Sequence, residues 1–139
     1  MDIVECKDKG LIRNTKIDSN LSKSLIEISN IKQETIIQSK LTKVTINAFI
    51  PLAYDSLREV LEAYCVLHGF KVGNHICLGN LVHELNPEFD LILFDRLRYI
   101  RNGINYYGNK VELNQGKSLI TKLFKLKKSM LKKTNELLQ

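Results

Sequence analysis

The stretch RLRYIRNGINYYG, residues 96–108, concentrates the side chains of this chain that are best suited to bind an anion. Guanidinium groups present a fixed fork of N–H donors to phosphate oxygens, and asparagine supplies both a donor and an acceptor. At about 100° per residue, four such side chains share one arc of about 100° on a helix: Arg98, Arg101, Asn102 and Asn105. Tyr106 projects nearby and offers a ring for stacking or a phenol for hydrogen bonding. We call the four side chains the polar arc. Together with Tyr106, the polar arc could bind RNA or a nucleotide without a metal.

A purely structural interpretation of the polar arc stays open. Arginine favours helices, and its aliphatic stem covers apolar surface while its charged head stays in water. Arg98 and Arg101 could also pair with an acidic residue nearby, namely Asp95, Glu59 or Glu62. In that case the arc is a solvated helix surface that binds no ligand.

Helical periodicity runs through almost every part of the chain, while proline is nearly absent and no strand-like alternation persists. The sequence therefore predicts an all-α protein, an up-and-down helical bundle of about five helices. We expect one domain at residues 16–139, since a chain of this length can bury a core without staples. Residues 1–15 lack periodicity and are predicted to be a flexible N-terminal segment.

Capping residues set the ends of the predicted helices. The first helix starts at Asp18 or Ser19, whose side chains can accept hydrogen bonds from free amide groups. Pro51 lacks an amide hydrogen and crowds the preceding turn, so it marks either a kink or the junction with the second helix. Gly69 can end the second helix in a left-handed conformation, and Asn74 can cap the third.

The fourth helix covers roughly residues 89–107, ends at Gly108 and carries the polar arc. Its apolar residues recur at intervals of four and three, and we expect this stripe of about 80° to be buried: Leu93, Leu97, Ile100, Ile104 and Tyr107. Gly103 lies on a flank where a second backbone could approach closely.

The last predicted helix, from about Lys117 to Leu137, is basic. Residues 110–139 contain eight lysines and two glutamates and therefore carry the whole net charge of +6. Most of these lysines lie opposite the apolar residues, and Lys127 alone intrudes on the apolar half. The lysine half is either a solvated outer surface or a contact for nucleic-acid phosphate or an acidic partner.

The cysteines form no C-x-x-C pair and the histidines no H-E-x-x-H motif, so we expect no metal and no cofactor. We interpret Cys65 and Cys77 as small buried hydrophobic residues, as in a reducing compartment. The histidines are interpreted as structural: His68, His75 and His83. No apolar run approaches the roughly 18 residues of a membrane span, and the N-terminus lacks a signal-peptide pattern, so the predicted location is the cytoplasm.

Two segments together resemble the HEPN superfamily: residues 53–75, AYDSLREVLEAYCVLHGFKVGNH, and residues 94–108, FDRLRYIRNGINYYG. HEPN domains are all-helical and occur in prokaryotic toxin–antitoxin and defence systems and in several RNA-processing proteins. The resemblance covers roughly residues 50–110. It implies a homodimer whose interface is lined or flanked by the polar arc and Tyr106.

Active HEPN members resemble metal-independent endoribonucleases with an R-x(4–6)-H motif, whose arginine and histidine act across a cleft between two subunits. Arg101 matches that arginine, and Asn102 matches the polar residue that commonly follows it. The histidine position falls instead at Tyr106, Tyr107 or Gly108. The pKa of tyrosine lies about three units above that of histidine, so tyrosine is a poor general base at pH 7.

Three functions follow from this resemblance. The first is a non-catalytic module that binds RNA, a nucleotide or a partner protein, such as a nucleotidyltransferase, in a toxin–antitoxin or RNA-processing system. The second is a metal-independent endoribonuclease in which Arg101 stabilises transition-state charge and Tyr106 or a partner residue transfers the proton. The third is a structural or antitoxin-like interaction subunit whose arginines only stabilise the fold.

Overall fold

The computed structural model describes residues 1–139 and consists of six α-helices and one two-stranded sheet. In chain order the elements are α1 (Ile3–Asp8), β1 (Ile12–Asn14), α2 (Ser19–Gln38), α3 (Ile46–Val66), β2 (Phe70–Val72), α4 (His75–Leu85), α5 (Leu91–Tyr107) and α6 (Leu113–Leu138). The predicted all-α helical bundle is confirmed, with one short helix and a small sheet in addition. None of the helices combines the length and the apolar character that crossing a membrane requires.

Helix α3 is the centre of the bundle. It contacts α2, α4, α5 and α6, and its buried residues lie on nearly every side. α2 runs antiparallel to it, held by hydroxyl groups in the dry interface: Ser22 donates to the carbonyl oxygen of Ala63 and Ser29 to that of Ser56. Small side chains let the two helices approach closely, and their hydroxyls are satisfied by backbone oxygens.

Helix α6 also packs closely along α3. At Gly116 an added Cβ would collide with the side chain of Ile46 and would lie 3.2 Å from a methyl group of Ile50. Both isoleucines belong to the main hydrophobic cluster, so this glycine is required by packing. α6 begins earlier than predicted, at Leu113, because the carboxylate of Glu112 accepts from two free amides of the first turn.

The break between the two long helices lies at residues 39–45 and not at Pro51. Thr42 and Thr45 close this connection, since each backbone N–H donates to the other's hydroxyl oxygen, at 2.9 Å and 3.2 Å. Pro51 is the sixth residue of α3 and the helix continues through it. One lost backbone hydrogen bond near the helix start is outweighed by the burial of Ile46 and Ile50.

Several predicted helix ends are confirmed by their caps. The side chain of Asp18 accepts from Leu21 N at 2.9 Å, and that of Asn74 accepts from Cys77 N at 3.0 Å. Gly69 and Gly108 follow their helices in left-handed backbone conformation, with φ of 83° and 65°.

The N-terminal segment differs from the flexible segment predicted at residues 1–15. It contains α1, capped by Asp2, and β1, which pairs antiparallel with β2 so that Ile12 lies opposite Val72. Helical periodicity could not reveal elements of six and three residues, because periodicity requires a longer window.

Cys6 and Cys77 form a disulfide that ties α1 to α4, with their Cα atoms 5.7 Å apart. Burial of Cys77 and Cys65 was predicted correctly, but the interpretation of Cys77 as an isolated hydrophobic residue was wrong. The pair was not recognisable because 71 residues separate its members in sequence. Cys65 is the remaining free thiol, and burial raises its pKa.

We expect reduction of the disulfide, or the substitution Cys6→Ser, to lower the free energy of unfolding by about 4 kcal/mol. A crosslink spanning a loop of this length removes that much chain entropy from the unfolded state. Urea unfolding with and without reductant measures the effect. Cys6→Ser is its own control, since its stability must not respond to reductant, and a wild-type protein equally indifferent to reductant would contradict the disulfide.

Candidate functional site

Helix α5 carries the polar arc, and its packing differs from the predicted stripe. The fully buried residues are Phe94 and Leu97, which face α3 and α4. Tyr107, predicted to be buried, is 78% exposed. The buried face of α5 is therefore rotated toward the arginines, because α3 and α4 cover only one side of this helix.

The polar arc is divided between the bundle and solvent. The side chains of Arg98 and Arg101 are only 20% and 12% exposed. Asn102 is half-buried, while Asn105 and Tyr106 are exposed. The structure brings three predicted residues together, since Nη1 of Arg101 donates to Asn102 Oδ1 at 3.1 Å and to the Tyr106 hydroxyl oxygen at 3.3 Å. Asn105 makes no side-chain hydrogen bond.

Arg101 lies between two aromatic rings. Its guanidinium carbon is 5.2 Å from the ring centroid of Tyr54 and 5.6 Å from that of Tyr106. Nη2 is 3.8 Å from the carboxylate of Asp55, which is an ion-pair distance but too long for a hydrogen bond. Two tyrosine faces and one carboxylate thus hold this cation at the rim of the bundle.

The neighbouring charges support part of the structural interpretation. Arg98 Nε lies 3.6 Å from Asp95 Oδ1, so this predicted pair exists, although neither atom makes a hydrogen bond. Glu62 instead accepts two hydrogen bonds from Arg58, at 3.0 Å and 2.9 Å, and Glu59 pairs with a lysine of α2. The arginines of α5 are therefore held by weaker contacts than Arg58, which is fully engaged on α3.

His75, which was interpreted from the sequence as a structural histidine, joins this cluster from the first turn of α4. Its Nδ1 is 3.2 Å from the hydroxyl of Tyr54, whose ring lies under Arg101. Burial lowers the pKa of His75 to about 4, and the positive charges of Arg58 and Arg101 add to this shift. The imidazole is therefore neutral at pH 7. Burial also raises the pKa of Tyr54.

The other two histidines lie away from the arc. His68 packs edge-on against Tyr64, with ring centroids 4.7 Å apart, and Nδ1 of His83 is 3.1 Å from the carbonyl oxygen of Phe89. No three side chains of histidine, cysteine or acidic type lie close enough together to hold a metal ion.

A groove separates α5 from α6 beside the polar arc. It consists of two adjoining cavities of about 390 Å³ and 230 Å³ that share Ile100 and Gln115. Its polar and aromatic lining consists of Tyr99, Asn102, Tyr106, Tyr107, Asn109, Lys110, Arg96, Gln115, Ser118 and Lys122. We call it the tyrosine groove, because Tyr99, Tyr106 and Tyr107 are 77%, 67% and 78% exposed.

Most residues of the tyrosine groove were not predicted from the sequence. Tyr99, Lys110 and Lys122 belong to it but show no motif, and their proximity depends on how α6 lies relative to α5. Gly103 also has a different role from the predicted one: an added Cβ would lie 2.9 Å from the side-chain amide of Asn109, in the turn that ends α5. The close neighbour is thus the chain itself.

We expect His75 to remain neutral in the native state at pH 5, and the free energy of unfolding to fall as the pH is lowered. Between the ordinary pKa of 6.5 and about 4, the unfolded chain binds a proton at His75 that the native state does not. This contributes at most about 1.4 kcal/mol per pH unit. NMR titration of the imidazole, with the urea-unfolded chain as control, checks whether His75 stays neutral at pH 5.

Urea unfolding of wild type and His75→Gln from pH 7 to 4.5 checks the expected fall in the free energy of unfolding. The variant must lose part of this pH dependence. A native-state midpoint near the ordinary value would contradict the buried environment of His75.

The chain matches no family model, no curated protein and no solved structure. The HEPN resemblance accordingly stands on residues 53–75 and 94–108 alone.

Proposed function

We propose that this protein is a HEPN-like binding module that binds single-stranded RNA in the tyrosine groove without cleaving it. The observation that carries the proposal is the cluster of three exposed tyrosines beside basic side chains: Tyr99, Tyr106 and Tyr107. Three exposed rings around one concave surface form an apolar patch rimmed by polar residues, which is typical of a ligand or partner site. All nucleic-acid bases can stack on such rings.

The charge of the tyrosine groove fits a phosphate backbone. Lys110, Arg96 and Lys122 line it, and no acidic residue does. The C-terminal segment that contributes two of these lysines carries the whole net charge of the chain. Phosphate contacts by such side chains release counterions and supply most of the affinity of sequence-independent binding.

Arg101 has a positioning role in this proposal. Its guanidinium is too enclosed to be the main phosphate contact, but its hydrogen bonds fix the Tyr106 hydroxyl and the Asn102 amide at the groove. A ring that is already held in place loses less conformational entropy when a base stacks on it. The arc thereby orders the binding surface, with Arg98 supporting it from the α3 side.

Cleavage is not part of the proposal, because no histidine and no carboxylate lines the groove. The hydroxyl of Tyr106 accepts a hydrogen bond from Arg101, but tyrosine is a poor general base at pH 7. His75 belongs to the same cluster as Arg101, but its Nδ1 contacts the hydroxyl of Tyr54 and does not line the groove. The endoribonuclease remains the alternative that the RNA assay below tests.

A homodimer is proposed as well, on the HEPN resemblance and one further observation. Ile92, Tyr99 and Tyr106 follow one another at seven-residue spacing on α5 and are all exposed. Such a stripe fits the side of a second helix. Because this stripe shares Tyr99 and Tyr106 with the tyrosine groove, the RNA would bind at the cleft between the two subunits, as the resemblance implies.

We expect purified protein to bind a fluorescent single-stranded RNA in the presence of a chelator, with affinity that falls steeply as salt rises. Tyr99→Ala and Tyr107→Ala should each weaken binding by roughly 5- to 100-fold, since one stacked base contributes about 1–3 kcal/mol. Val44→Ala, which removes an 89% exposed apolar side chain elsewhere, is the matched control. Fluorescence anisotropy measures the affinities.

A denaturing gel of the same samples tests cleavage. Intact RNA after long incubation supports a binding module, and chelator-resistant fragments that vanish in Arg101→Ala would favour the endoribonuclease. Absence of salt-sensitive binding would contradict the proposal.

Arg101→Ala should weaken RNA binding and also lower the melting temperature, because it frees Tyr106 and removes one of the two arginines that pair with Asp55. Melting curves and anisotropy on the same variant separate these effects. Tyr106→Phe is the informative companion, since it keeps the ring but removes the bond to Arg101. A loss of stability in Arg101→Ala with unchanged RNA affinity would instead support the structural role.

A further inference from the structure

A second groove lies between α2 and α6 and is separate from the tyrosine groove. Its cavity of about 470 Å³ is lined by both helices. An adjoining open depression of about 720 Å³, lined from the α6 side only, shares Lys125, Lys128 and Leu131 with it. We call the groove as a whole the basic groove. It exists because α6 packs extensively on α3 but only slightly on α2.

The lining of the basic groove is amphipathic. Apolar surface comes from Ile37, which is 60% exposed, and from the half-buried Phe124 and Leu131. The exposed lysines Lys125 and Lys128 border it. An apolar strip beside a row of cations matches one side of an amphipathic helix whose polar positions are acidic.

A buried ammonium group lies at the same groove. Lys127 is 1% exposed, and its Nζ donates to the carbonyl oxygen of Ser29 at 3.3 Å and to Asn30 Oδ1 at 3.1 Å. Both acceptors are neutral, and the acidic residue that acts on it, Glu59, already pairs with Lys32 at 2.9 Å. Burial lowers the pKa of Lys127 to about 8. A carboxylate brought by a partner would compensate this cation.

We propose that the basic groove binds an acidic amphipathic helix of a partner protein. Its apolar side chains would cover Ile37, Phe124 and Leu131, and its carboxylates would approach Lys125 and Lys128. A helix fits better than nucleic acid, because the groove has no exposed aromatic ring for stacking and its apolar strip suits aliphatic side chains. It fits better than a membrane surface, because the apolar strip lies in a concave site.

The probe is a fluorescent peptide of about 20 residues with leucine at helical spacing and glutamate at the remaining positions, long enough to form a helix. Matched probes are the same peptide with lysine in place of glutamate, a scrambled acidic peptide, single-stranded RNA, and vesicles containing phosphatidylserine. We expect saturable binding of the helical acidic peptide and much weaker binding of the other peptides and the vesicles. RNA, which is proposed to bind in the tyrosine groove, should not displace the peptide.

Paired charge reversals locate the site. Lys125→Glu with Lys128→Glu should weaken peptide binding by at least about tenfold. Lys117→Glu with Lys133→Glu makes the same charge change on the same helix outside the groove, and it should change binding by less than about twofold. Ile37→Ser should weaken binding, while Val44→Ser, at a more exposed apolar position elsewhere, should not.

Equal weakening by both charge reversals would overturn the proposal, since it would show only a general attraction between opposite charges. So would absence of saturable peptide binding, preference for the scrambled peptide or the vesicles, or displacement of the peptide by RNA. Because Tyr99→Ala leaves the basic groove intact, its effect on RNA and its lack of effect on the peptide separate this proposal from the RNA-binding one.

Discussion

The enclosure of α3 is the constraint on which the rest of the structure depends. Its apolar residues occur on nearly all sides, so every other long helix must cover part of it to bury them. α6 satisfies this demand by packing on α3 so closely that only glycine fits at position 116. It then contacts neither α2 nor α5 extensively. Both grooves are gaps left by helices that are positioned against α3 and not against one another.

Charged residues are enclosed on both sides of this central helix. Toward α5, Asp55 lies between Arg58 and Arg101, and Tyr54 joins Arg101 to His75. Toward α6, Lys127 rests on neutral acceptors of α2. Enclosed charges cost desolvation energy that apolar packing would avoid, and such sites are enriched in function. On each side the incompletely paired cation lies beside a groove, which is why both surfaces are interpreted as binding sites.

The two proposed surfaces divide the basic residues of α6 between them. Lys122 belongs to the tyrosine groove, where exposed rings suit bases, while Lys125 and Lys128 border the basic groove, where aliphatic side chains suit another helix. The same charge therefore serves different ligands according to its apolar neighbours. Electrostatic attraction alone does not discriminate between an RNA and an acidic protein, whereas stacking rings and an aliphatic strip do.

Local features of the sequence determined the helical class, the caps at Asp18 and Asn74, the stop at Gly108 and the anomaly of Lys127, because periodicity and capping involve residues only a few positions apart. The tertiary structure alone decided that Tyr107 is exposed, that Arg101 is enclosed, and that His75 reaches Tyr54. It also decided the pairing of Cys6 with Cys77. Each of these depends on which side of a helix its neighbours cover, and that is set by contacts between segments far apart in the chain.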